Sequence, residues 1–446
     1  MARRTKPGPK ARAVEARQIL DMNAYRPGGA AAAPALARRL ANYGAAAVLF
    51  YDDPIEMVAA EGAWMIAADG SRYLDFYNNV PSVGHTHPRV VAAVQEQVAR
   101  LNINSRYLNR VVDDYLEALK AYLPDSLSNV VLTCSGSEAN DLAMRVAAKA
   151  SGGSGFVVTR TAYHGNTSAV TGISPSAFKR GAPADHVACV PEPSAEQFGA
   201  HIAEGFAAAV RQALDELAAR GHRPAALVCD TIFSSDGVHA DPPGFPVAAV
   251  AAVRQAGGLF IADEVQPGFA RTGDGFWGFE RHGLVPDMVT MGKPMGNGFP
   301  MAGLAVRPEL LDAFCADTGY FNTFGANPVA AAAGHAVLQA IEEEGLQGNA
   351  ATVGRHLQAR LGDLAARSDR IAAIRGAGLF VGVDLASDGV PDPDLAARTI
   401  NGLRRERVLI GAAGRLGHTL KVRPPLCLTL AEADIFVDAL ARVLGR

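Results

Sequence analysis

The chain has 446 residues, of which 49% are hydrophobic and 20% charged, enough to bury a large core and unlike a disordered polymer. Lys and Arg total 42 against 45 Asp and Glu, a formal net charge of −3 that argues against a dedicated nucleic-acid binder. No apolar run approaches the roughly 18–20 residues of a membrane span, and five scattered cysteines (Cys134, Cys189, Cys229, Cys315, Cys427) without a Cys-x-x-Cys pair read as reduced thiols of a cytoplasmic protein.

Residues 1–40 stand apart. They carry Arg3, Arg4, Lys6, Lys10, Arg12 and Arg17 against Glu15 and Asp21, followed by an Ala/Pro/Gly stretch from Pro27 to Ala35. A transit peptide is Arg-rich and acid-poor in the same way. Pro7 and Pro9 suit an amphipathic targeting helix poorly, so a basic, frayed arm is the expected reading. From about residue 55, short β-branched runs alternate with Ala/Leu-rich helical periods. Expected strands are Val130–Thr133, Phe156–Thr159, Val187–Val190, Ala226–Cys229, Leu259–Ala262, Met288–Met291 and Leu304–Val306, with helices over Glu138–Lys149, Phe206–Ala219 and Pro246–Gln255. Strands that are apolar throughout imply a sheet covered on both faces, hence an α/β fold with a mostly parallel, doubly wound sheet. Beyond about residue 330 the rhythm changes. Helices Val329–Glu344 and Ala351–Ala366, strands Gly378–Asp384, Val408–Gly411 and Leu420–Val422, and a closing helix Leu430–Leu444 predict a smaller α+β domain.

Open α/β sheets bind ligands beyond the carboxyl ends of their strands. After Val130–Thr133, the turn Cys134-Ser135-Gly136-Ser137-Glu138-Ala139-Asn140 opens a helix with small residues whose free N–H groups suit a phosphate, although Ser-Gly-Ser is equally an ordinary N-cap turn. Leu259–Ala262 runs into Asp263 and Glu264, where a buried carboxylate needs either a structural Arg or a protonated group on a ligand. Met288–Met291 runs into Gly292-Lys293 and a Gly-rich turn. Most lysines are solvated, but one at that place is partly desolvated, which lowers its pKa and makes it nucleophilic toward carbonyls. Tyr163-His164-Gly165, just past Phe156–Thr159, offers an aromatic pair that either stacks on a flat ring or covers the core. A phosphate cradle, a stacking aromatic, a strand-end carboxylate and a desolvated lysine together meet the demands of pyridoxal 5′-phosphate, with its phosphate, flat ring, pyridine nitrogen and aldehyde.

On the motifs Ser135-Gly136-Ser137-Glu138-Ala139-Asn140, Tyr163-His164-Gly165, Asp263-Glu264-Val265-Gln266, Met291-Gly292-Lys293 and Asn322-Thr323-Phe324-Gly325-Ala326-Asn327-Pro328, the chain resembles the class III (ornithine/omega type) aminotransferases of the fold type I pyridoxal-phosphate enzymes from about Tyr51 onward. The resemblance implies a large cofactor-binding domain over 76–330 and a small domain built from 41–75 and 331–446. It implies that Lys293, as the Schiff-base lysine, and Asp263, as the partner of the pyridine nitrogen, are catalytic. Gly136 and Ser137 would bind the phosphate, Tyr163 would stack on the ring with His164 beside it, Val265 would pack on the opposite face, and Gln266 would reach the ring hydroxyl. Thr323 would touch the phosphate of the neighbouring subunit's cofactor, implying a homodimer with sites at its interface. The implied reaction moves an amino group from an amine or amino acid to a keto acid or aldehyde, with small molecules as partners and neither nucleic acid nor membrane.

A second reaction shares every one of these parts. Tyr77-Asn78-Asn79-Val80, Val83-Gly84-His85, the stretch Leu101–Leu108 and Lys293-Pro294-Met295-Gly296-Asn297-Gly298 resemble the ethanolamine-phosphate phospho-lyase branch, which eliminates phosphate and ammonia from a phosphorylated amine. Phe299 departs from the histidine common in that branch, and Asp230 stands where many relatives have Glu. Tyr77 and Asn78 are candidate substrate contacts. So are Lys421 and Arg423, which are two apart along a strand and share a face, where they make either an anion site or a solvated charge pair. His85 and His87 flank one Thr in a Gly/Pro turn with no third ligand nearby, so a structural reading is preferred and no metal is expected.

Overall fold

A computed structural model of the chain describes residues 18–19, 21–26 and 33–445. The basic positions 3–17 of the expected arm lie outside the described residues. Its last part is not frayed: Pro34–Tyr43 is a helix with Pro in its first turn, where a missing N–H costs nothing, although it buries no side chain. Next comes a three-stranded meander absent from the sequence reading, β1 (Met57–Glu61), β2 (Trp64–Ala67) and β3 (Arg72–Asp75). Most positions of β1 and β2 are half-buried or exposed, so neither continuous apolarity nor clean alternation announced them.

The large domain is built on β4 (Asn129–Thr133), β5 (Gly155–Thr159), β6 (Val187–Val190), β7 (Pro224–Cys229), β8 (Leu259–Asp263), β9 (Met288–Met291) and β10 (Ala302–Val306). Their order is β4-β10-β9-β8-β7-β5-β6. The run β6-β5-β7-β8-β9 is parallel, and β10 lies antiparallel to both β9 and β4. The central strands β5, β8, β9 and β10 are buried almost throughout, because helices such as Gly136–Ser151 and Val247–Gln255 pack on the sheet. All the parallel strands point their carboxyl ends the same way, which gathers the loops after β5, β7, β8 and β9 at one edge.

The small domain draws on both ends of the chain. After helices Pro328–Glu343 and Leu346–Ala365 come β11 (Ile371–Ala377), β12 (Phe380–Ser387), β13 (Val390–Pro391), β14 (Val408–Leu409), β15 (Gly411–Ala413) and β16 (Thr419–Val422). The expected strand Gly378–Asp384 is present as β12, and a strand that was not expected, β11, pairs antiparallel with it around Gly378, whose φ of +52° is the left-handed turn conformation that glycine adopts without strain. β14 pairs parallel with β3, Val408 beside Leu74, so residues 57–75 join the C-terminal lobe. The Trp64 indole donates to Glu432 at 2.6 Å, pinning the meander to the closing helix Leu430–Val443.

Candidate active site

Asp263 ends β8 and is 5% exposed. Its Oδ2 accepts from His164 Nδ1 at 2.6 Å and from the Asn140 amide at 3.1 Å, and its Oδ1 accepts from the Val265 N–H at 3.1 Å. Asn140 is itself held by Thr290 Oγ1 at 2.7 Å and by the His164 carbonyl at 2.8 Å. Three donors for about four lone-pair sites fix the carboxylate and leave acceptor capacity toward the cavity that Asp263 lines. Glu264 points the other way. It accepts from Thr231 Oγ1 (2.7 Å) and the Gly278 and Phe279 N–H groups (2.8 and 2.9 Å), and burial pushes its carboxyl up to about 8. Of the two adjacent acids, Glu264 is structural.

Lys293 follows β9, which pairs with β8 so that Asp263 sits opposite Thr290. The two strand ends bring Lys293 and Asp263 to the same cavity. Burial, reinforced by the Arg423 guanidinium, pulls the Lys293 ammonium down to about 8 despite the opposing pull of Asp263 and Asp230.

The same cavity is lined by Gly136, Ser137, Tyr163, His164, Gly165, Val265 and Gln266. The helix Gly136–Ser151 is started by a capping box, Ser135 with Glu138, and the N–H groups of its first turn have no partner within the helix. A Cβ on Gly136 would stand 2.9 Å from Val265 Cγ2, and one on Gly165 only 2.4 Å from Ser137 Oγ. Both glycines are therefore required by close approach, and Gly165 also has a φ of +144°. Ser137 Oγ accepts from the Asn166 N–H at 3.1 Å and so ties this turn to the Tyr163 loop. Tyr163 is half-buried, and burial raises its phenol pKa.

Two buried cations, Lys421 and Arg423, adjoin the site, although neither they nor Tyr77 line its cavity. Lys421 Nζ donates to Ser234 Oγ at 3.3 Å and stands 5.5 Å above the Phe380 ring. Arg423 Nη1 donates to Gln266 Oε1 at 2.6 Å and lies 4.5 Å over the Tyr77 ring. Gln266 Nε2 in turn donates to Ser234 Oγ at 2.9 Å, and Ser234 donates to Asp230. The Gln266 amide is thus a bridge between Ser234 and Arg423. Burial, with Arg423 nearby, holds the Lys421 ammonium well below its ordinary pKa, and burial raises that of Asp230.

Other sequence-selected residues lie elsewhere. Asn78 gives its amide to Asp75 Oδ2 (3.0 Å) and the Met65 sulfur (3.7 Å), so it braces the turn after β3, and it does not line the cavity. Thr323 is exposed in the single chain and does not line the cavity. His85 and His87 go to different carboxylates, Asp75 at 2.8 Å and Glu344 at 2.9 Å, and share no centre. Phe299 packs half-buried on the core. Sequence reasoning gave no role to Asn140, Thr290 or Ser234; Asn140 stood in a quoted motif, whereas Thr290 is one residue inside an apolar strand and Ser234 carried no signal.

The sequence matches the aminotransferase class-III family over residues 50–444. It is 41% identical over 399 residues to alanine–glyoxylate aminotransferase 2 homolog 2, mitochondrial, of Arabidopsis thaliana, covering 87% of this chain and 83% of that one. It is 36% identical over 433 residues to ethanolamine-phosphate phospho-lyase homolog 1 of Caenorhabditis elegans, covering 92% of each. Among solved structures, a phospholyase from Arthrobacter in complex with phosphoethanolamine superposes with a TM-score of 0.89 at 39% identity, covering 92% of this chain and 99% of that one.

Proposed function

The chain belongs to the class-III aminotransferase family, and on that premise we propose that it binds pyridoxal 5′-phosphate at Lys293 and transfers an amino group from a small anionic amine or amino acid to a keto acid or aldehyde. The observation that carries this reading is the meeting of Lys293 and Asp263 in one cavity with the glycine turn of Gly136 and Ser137. The residues fit the cofactor. Its phosphate would take the unpaired N–H groups of the first helical turn, its ring the slot between Tyr163 and Val265, and its pyridine nitrogen the free acceptor of Asp263. Gln266, bridging Ser234 and Arg423, keeps a second amide N–H that could serve the ring hydroxyl.

When bound, pyridoxal phosphate supplies an aldehyde that condenses with amines and a ring that withdraws an electron pair from the substrate carbon. The chain's residues do the rest. Lys421 and Arg423 hold the substrate's anionic end, which orients its amino-bearing carbon over the site. Lys293 Nζ, held near neutrality by burial, takes the proton from that carbon and later returns one. Asp263, its carboxylate fixed by three donors, would accept a hydrogen bond from the ring nitrogen.

Two expected results follow from this assignment. At pH 7 about a tenth of Lys293 is neutral. Uptake of pyridoxal phosphate by the cofactor-free chain is therefore expected to quicken as pH rises through a midpoint of about 8, read by stopped-flow absorbance. A midpoint at the ordinary lysine value would contradict the burial. Gly165→Ala is expected to weaken cofactor affinity by at least about tenfold, because the new methyl displaces Ser137; equilibrium dialysis would measure it, and unchanged affinity would remove Ser137 from the phosphate.

A second reading, elimination of phosphate and ammonia from a phosphorylated amine, is favoured by the Arthrobacter phospholyase at 39% identity and by the two buried cations, Lys421 and Arg423. The deciding assay is phosphate release from O-phosphoethanolamine with no keto acid present. The transaminase reading expects no catalytic release, with pyruvate-dependent or aldehyde-dependent turnover of amino donors instead. Many phosphates per chain would establish the lyase and displace it.

We further propose that the active form is a cytoplasmic homodimer. Tyr107 (65% exposed), Leu108 (101%), Phe321 (43%) and Phe324 (72%) present apolar surface beside Thr323 and support a partner there. All five cysteines are free thiols, which supports a reducing compartment. Sedimentation at monomer mass would sink the dimer.

A further inference from the structure

Glu192, just past β6, and Asp236, in the segment after β7, face Arg375, Asp384, Arg415 and His418 of the small domain across a cavity of about 270 Å³. None of its lining residues lines the cavity around Lys293. Part of its charge is already satisfied, because Arg375 holds Asp384 with two nitrogens, Nη2 at 2.9 Å from Oδ1. Glu192 and Arg415 carry charges of opposite sign that remain unanswered, and Glu196, exposed at the same cavity, adds a further acid. Glu192 is 5% exposed; its Oε1 accepts from Gln197 Nε2 at 3.0 Å, but its Oε2 is buried with no partner among the described residues. Arg415, half-buried in the turn between β15 and β16, makes no hydrogen bond or ion pair among the described residues.

Buried polar atoms in native proteins have partners, so the Glu192 oxygen calls for a donor that the chain does not provide. Asp236 adds to the demand. Its two oxygens accept only hydroxyls, Thr159 at 2.9 Å and Thr161, and burial, with Glu192 close by, pushes its carboxyl up to about 7. His239 beside it is pushed down to about 3 by burial and so brings no positive charge. The acidic side therefore lacks a cation, and the Arg415 side lacks an anion.

We propose that this cavity between the domains is a second ligand site, distinct from the proposed catalytic one, that takes a small zwitterion with an N–H-bearing ammonium at Glu192 and Asp236 and a carboxylate or phosphate at Arg415. The segment 230–239 separates the two cavities, Asp230 lining one and Asp236 the other. It holds Phe233 at φ +49° and Val238 at φ +66°, the latter a conformation that a β-branched residue adopts only under constraint.

The test uses N,N-dimethylglycine, a tertiary amine that keeps an ammonium N–H and a carboxylate but cannot condense with an aldehyde. Cofactor-loaded enzyme, its aldehyde capped with aminooxyacetate, is titrated with it in a calorimeter. The expected result is one binding event per chain, weakened at least about tenfold in both Glu192→Gln and Arg415→Gln with the cofactor absorbance unchanged. Should Glu192→Gln fail to fold, Arg415→Gln, which removes no bond within the chain, carries the comparison alone. Absence of binding to the capped wild type, or unchanged affinity in a folded variant, overturns the proposal.

Discussion

Lys293→Ala is expected to lower kcat/KM for amino-group transfer by more than about 10³-fold and to abolish the cofactor's lysine-linked absorbance band. The reason lies in what one side chain is asked to do. Its amine must be neutral enough to attack a carbonyl and basic enough to take a proton from carbon, and burial that brings its pKa to about 8 supplies both at physiological pH. No neighbour replaces it. Lys421 is the other amine nearby, but it donates to Ser234 and does not line the cavity that Lys293 and Asp263 share. The fold should survive, since Lys293 makes no hydrogen bond among the described residues that anchors another element. Initial rates with an amino donor and a keto acid, together with absorbance of the loaded protein, decide it. Wild-type turnover in the variant would overturn the assignment of Lys293.

Asp263→Asn is expected to cost about 10³-fold in kcat while leaving the protein folded. The substitution keeps the shape and removes the charge. It also reverses one polarity: Asn can still accept from the Val265 N–H through Oδ1, but it presents an NH₂ to the His164 and Asn140 donors that now bond Oδ2 at 2.6 and 3.1 Å. The other two carboxylates are engaged elsewhere, Glu264 on Thr231, Gly278 and Phe279, and Asp230 on Ser234 and the Ile232 N–H. The measurement is kcat beside a thermal melt. Full activity in a folded variant would show that the carboxylate is structural; a collapse of the melt together with activity would show that the Thr290–Asn140–Asp263–His164 network holds the fold before it serves the site.

These two residues were legible because each ends an apolar strand, and a strand buried on both faces needs nothing but its own composition to be seen. The seven strands of the large domain follow from that rule, and so does the place of Lys293 and Asp263 at neighbouring carboxyl ends. The meander of residues 57–75 escaped it because its half-exposed strands are stabilised by pairing with Val408–Leu409, more than 300 residues away. Of the hairpin only β12 was legible; β11 is short of large apolar side chains, half-exposed and interrupted by Arg375, so it carries no continuous apolar run. Asn78 resembled a substrate contact by motif, but only the fold shows its amide on Asp75.

The cation pair shows the division most clearly. That Lys421 and Arg423 share a face follows from the two-residue period of a strand and requires no structure. Which way that face turns is decided by partners 187 and 157 residues away, Ser234 and Gln266. The sequence by itself determined the strands of the large sheet, the turn chemistry and the reactive pair, because those rest on local composition, backbone sterics and the cost of burying a charge. The tertiary structure alone decided the second cavity, the bridge through Gln266 and the orientation of the cations, because such contacts form between segments whose spacing leaves no periodic trace in the chain.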